Sequence, residues 1–178
     1  MLLAVAFRPT RFFRTMRADG GNLLPRMYLL SVACLIGGGW ALGELLWIER
    51  DPVLAWALGM LAANVVVALS YLEAGGVTFF SRRRGWRVPF RLAERVVCYA
   101  SPGWFVAAGG LMYLAKLHHG EDLVPLLSAV SGSLGPQLVP AVFAAAGGLT
   151  LMGFECLVYV GVRQVRFANS PPLVTKAR

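Results

Sequence analysis

Residues 52–72 read PVLAWALGMLAANVVVALSYL, 21 positions between Asp51 and Glu73 without a charge. A helix needs about 20 mainly apolar residues to cross the ~30 Å hydrocarbon core of a bilayer. The intervals Arg26 to Glu44, Arg95 to Lys116 and Asp122 to Glu155 enclose uncharged runs of the same kind. The chain of 178 residues is 57% hydrophobic and 15% charged, with mean hydropathy +0.63. Soluble domains carry nearer a quarter of charged residues. The pattern is that of an all-α, polytopic helical membrane protein. No alternation in segments of ~10 residues suggests an outer-membrane barrel.

Four spans are expected, at about Met27–Ile48, Pro52–Phe80, Val96–Ala115 and Pro140–Val162. They divide the chain into a basic N-terminal segment, 1–26, a membrane domain, 27–162, and a tail, 163–178. Of 17 Lys and Arg residues, only Arg50 and Lys116 then fall on the outer side. The positive-inside rule puts both termini in the cytoplasm. The rival count of five turns Leu123–Gly135 into a span and moves the basic C-terminus outside. Four explains the charge better, and 123–135 is expected as an interfacial or re-entrant helix. Met1–Phe7 is too short an apolar run for a cleavable signal and leads into arginines. A net charge of +8 and a pI near 10.1 would suit nucleic acid. Topology accounts for it, so no nucleic-acid partner is expected.

Two basic stretches read as amphipathic helices on the cytoplasmic leaflet. Arg8–Arg17 sets Phe12, Phe13 and Met16 among Arg11 and Arg14, and Trp86–Val97 sets Leu92 and Val96 among Arg87, Arg91 and Arg95. Both suit apolar faces sunk to the acyl boundary with arginines on anionic headgroups. Pro102 should kink the span that follows. Anionic lipids and other integral membrane subunits are the expected partners.

These pieces resemble the Yip-domain (Rab-GTPase-interacting) family of multi-pass membrane proteins. Pro9, Phe12 and Phe13 are similar to its Pro-x-x-Phe-Phe element ahead of the first helix. Tyr99-Ala100-Ser101-Pro102 resembles its Tyr-Ala-x-x-Pro-like motif, one residue short. The resemblance implies a non-enzymatic protein, in eukaryotes tied to vesicle traffic and small-GTPase partners. Family members usually have five spans, where the charges here favour four.

Chemistry-bearing constellations are sparse, and no catalytic or metal-binding residue is assigned. His118 and His119 sit in an outer loop with Glu121 and Asp122, at no spacing that fixes a coordination geometry. No histidine lies within a span to ligate haem or chlorophyll, so no cofactor is expected. The paired glycines at 37–39, 109–110 and 147–148 read as helix-packing faces. Cys34, Cys98 and Cys156 are expected as buried thiols.

Glu44 reads as interfacial. Glu73 and Glu155 are deeper, at matching depth in the cytoplasmic half, and an ionisable group in a span is costly enough to imply a role. One reading makes them a shared proton or cation site. The other, preferred from sequence alone, has each settled by Arg91, Arg95 or a neighbouring chain, or neutral. The expected function is a membrane scaffold or accessory subunit, the alternative a small proton, ion or solute transport subunit using Glu73 and Glu155.

Overall fold

The computed structural model describes residues 8–16, 21–119 and 135–165, with residues 125, 128 and 129 between. The described residues form helices and no strand. They are α1 (Pro9–Thr15), α2 (Leu23–Trp47), α3 (Pro52–Arg83), α4 (Phe90–Ala100), α5 (Gly103–His119) and α6 (Gly135–Val165). Three helices are long and apolar enough to cross a membrane, or four if α4 and α5 count as one bent span. The 123–134 stretch, apart from three residues, and the tail from 166 lie outside the described residues.

Local chemistry sets the boundaries. The Asp51 carboxylate accepts from the backbone N–H groups of Val53 and Leu54 at 2.9 and 3.2 Å, with Pro52 at the start of α3. That is an N-cap followed by a proline whose missing N–H costs nothing there. Gly85 takes φ +70° just beyond α3, the left-handed step that commonly ends a helix. Pro89 caps α4, so residues 86–89 precede the helix and the expected Trp86–Val97 helix begins at Phe90. Ser101-Pro102 breaks α4 from α5 with a 49° bend, where the proline kink was expected.

Helices α2 and α3 cross at two glycines. A Cβ on Gly37 would stand 2.6 Å from the Gly59 carbonyl oxygen, and one on Gly59 would strike the Gly37 carbonyl. Gly103 sits against Phe154, and Gly161 against Val96 and Phe13. Gly38, Gly39, Gly109, Gly147 and Gly148 have open space where a Cβ would be. The small-residue packing is real, and Gly37 carries it where these five do not.

The largest departure is α4. It is buried on almost every side, with Leu92, Ala93, Val96, Val97 and Cys98 in the core. It packs on α2, α3 and α6. Its apolar residues meet protein where lipid was expected. The same holds for α1: Phe13 is fully buried and seated on Gly161, and Phe12 meets Tyr99 edge-on at 5.1 Å. Trp104 ties the far side, stacked 4.5 Å from Phe154 and donating its indole N–H to Ser70 Oγ at 3.1 Å.

Candidate functional site

Fifteen basic residues were expected on one face, and the structure sorts the described ones into two groups. Arg8, Arg11, Arg14, Arg26, Arg82, Arg83, Arg84, Arg87, Arg91 and Arg163 are exposed. Arg95 is only 4% exposed, which removes it from the headgroup surface assigned to it. The cause is a residue the sequence reading passed over. Asn22 Oδ1 accepts from Arg95 Nη2 at 3.1 Å and Nε at 3.3 Å. Its amide nitrogen donates to Glu94 Oε2 at 2.6 Å and to the Arg91 carbonyl at 3.0 Å.

Glu94 is the pivot of this network. Its side chain is 1% exposed, and Arg26 Nε donates to its other carboxylate oxygen at 2.6 Å. The Tyr71 hydroxyl lies close by. A buried charge is tolerated where it is paired and hydrogen-bonded, and here both conditions are met. The network joins α2, α3 and α4 just inside the arginine-rich end. No local pattern marks it, since Asn22 and Glu94 are 72 positions apart. The one available signal was the presence of Glu94 between Arg91 and Arg95, an acid in a basic helix.

At the other end Glu44 is 3% exposed and is bound by Arg50 Nε at 2.6 Å. Arg50 also lies 2.9 Å from His119 Nε2. Glu121 and Asp122 lie outside the described residues. Cys98 is buried as expected, whereas Cys34 and Cys156 are exposed.

Glu73 and Glu155 come together. Their side chains lie close to one another, one on α3 and one on α6, lining the same cavity. Neither is ion-paired with Arg91 or Arg95 among the described residues; Arg95 is held by Asn22. The two carboxyls line a cavity of about 330 Å³ with Ser81, Arg84, Trp86 and Tyr159 among its walls. Arg84 stands over the Trp86 ring, 5.4 Å from its centroid. The rest of the wall is mainly apolar, from Val77, Phe80, Val158 and Val162.

Pro9, Phe12, Phe13, Tyr99 and Pro102, the residues that carried the family resemblance, form one region. Pro9 starts α1, Phe12 packs on Tyr99, and Pro102 marks the break after α4. Comparison with family models, with curated proteins and with solved structures yields no match.

Proposed function

We propose that the chain is a non-enzymatic, multi-pass membrane protein with four spans and both termini in the cytoplasm. It is a scaffold or accessory subunit of Yip-like kind, holding lipids and neighbouring membrane subunits at its arginine-rich face. The observation carrying this reading is the division of labour among the arginines. Arg95 is buried on Asn22 and Arg26, itself half exposed, is committed to the buried Glu94, while Arg82, Arg83, Arg84, Arg87 and Arg91 are exposed on the elements so fixed. A rigid cationic plate loses little side-chain and backbone freedom when it meets an anionic leaflet or an acidic partner. Each arginine near such a surface contributes about 1 kcal/mol.

The test compares the intact chain with an Arg87→Glu, Arg91→Glu variant, both recovered from membranes in mild detergent. Loss of two favourable contacts, about 2 kcal/mol, should reduce bound anionic lipid or partner subunits roughly thirtyfold, with insertion unchanged. Equal recovery contradicts the proposal.

A second reading has its own observation. The carboxyls of Glu73 and Glu155 meet in one cavity, which favours a small proton, ion or solute transport subunit over two unrelated local pairings. Glu73→Gln and Glu155→Gln should each abolish a proton-linked flux in vesicles. Flux unchanged in both variants removes this reading.

A further inference from the structure

The cavity between α3 and α6 holds groups of both signs and one that is unspent. Ser81 is 3% exposed and lines it. Its neighbour Thr78 bonds back to the Ala74 carbonyl at 2.9 Å, but the Ser81 hydroxyl makes no hydrogen bond among the described residues. Arg84 lines the same cavity and forms no ion pair among them. Arg84 and Glu155 are exposed and Glu73 half-buried, so these groups can be reached by a ligand from outside the cavity. Three acceptors, the Glu73 and Glu155 carboxyls and the Ser81 hydroxyl, stand in it with one guanidinium.

Depth narrows what completes it. Counted from the far ends of their helices, Pro52 and Gly135, both carboxylates lie roughly 30 Å along at ~1.5 Å per residue. That equals the thickness of the hydrocarbon core. In a four-span chain the pair stands at the boundary of acyl chains and headgroups, with Arg84 on the headgroup side. A primary ammonium supplies three N–H donors and no acceptor, matching the three acceptors. A phosphate takes the guanidinium. Apolar walls at Val77, Val158 and Val162 suit the attached chains.

We propose that the α3–α6 cavity binds the headgroup of an aminophospholipid of the phosphatidylethanolamine type, its ammonium on Glu73, Glu155 and Ser81 and its phosphate on Arg84. The site takes up the location of the second reading, but it concerns binding and stands whether or not anything is moved across the membrane.

The test uses the full chain reconstituted in vesicles of equal parts phosphatidylethanolamine, phosphatidylcholine and phosphatidylglycerol. Lipids retained after mild extraction are then counted. Phosphatidylethanolamine should exceed phosphatidylcholine about tenfold, the difference of about 1.4 kcal/mol expected when a quaternary ammonium offers no N–H donor. Glu73→Gln combined with Glu155→Gln should return the ratio to that of the vesicle, and Arg84→Gln should lower retention of phosphatidylethanolamine. A second measurement needs no variant. Mono-, di- and trimethylated headgroups offered to the unaltered chain should be retained in falling order. Equal retention along that series, or a preference that survives loss of both carboxylates, overturns the proposal, whatever the outcome of flux measurements.

Discussion

Arg26 and Glu94 form an ion pair of unequal burial: the guanidinium side is 52% exposed, the carboxylate 1%, and 2.6 Å separates Nε from Oε1. Removing the exposed partner therefore harms the buried one. Arg26→Ala should cost about 1–3 kcal/mol, the penalty for leaving a buried acceptor short of its donor. Glu94→Gln should cost less, because an amide oxygen still accepts from Asn22. Thermal unfolding in detergent checks the order, and equal losses for the two variants would count against it.

Arg95 and Arg91, one helical turn apart, should behave as different residues. Arg95→Glu puts a second acid beside Glu94 and removes the donor to Asn22 Oδ1, so a loss of about 1–3 kcal/mol or more is expected, the penalty for a buried polar group left without its partner. Arg91→Glu changes an exposed side chain and should stay within about 0.5 kcal/mol. Melting temperatures of the two single variants decide this.

The crossing of α2 and α3 allows a sharper contrast. Gly37→Ala drives a methyl group toward the Gly59 carbonyl, a backbone atom that cannot rotate away. Gly38→Ala meets nothing within 4 Å and gains helix propensity, up to about 1 kcal/mol in favour of Ala. The first should lower the melting temperature and the second leave it level or raised.

Phe13 anchors α1. Deleting its ring empties a fully buried site, and Phe→Ala changes in cores cost about 3–5 kcal/mol. Because α1 is short and terminal, the effect should be local undocking. Amide exchange should accelerate over residues 9–16, with α3 and α5 unaltered. Unchanged exchange in Phe13→Ala would show that α1 is held by its other contacts.

Much of this architecture is legible in the sequence because long uncharged runs report on span length directly. Helices α2, α3 and α6 fall within a few residues of the expected limits, and Pro102 breaks the chain where its ring forbids a continuous helix. That Glu73 and Glu155 line one cavity fits their similar spacing from the arginines beyond them. What periodicity cannot say is whether an amphipathic helix turns its apolar side to lipid or to protein. Leu92 and Val96 read the same in both cases, and Asn22, some 70 positions earlier, gives Arg95 a partner inside. Glycine faces fail for a related reason: consecutive residues on a helix differ by about 100° in direction, so of Gly37, Gly38 and Gly39 only one points at α3.

All of the functional readings rest on one claim, that the arginine-rich end lies on one side of a membrane and His119 on the other. Its most direct measurement is side-specific cysteine labelling in intact cells. Single cysteines replace Gly85, Val174 and His119 in a chain whose three native cysteines are changed to Ser. Gly85→Cys and Val174→Cys should react only after the cytoplasmic side is opened, and His119→Cys from outside without opening. Labelling of Val174→Cys from outside, or of Gly85→Cys and His119→Cys from the same side, would contradict the account.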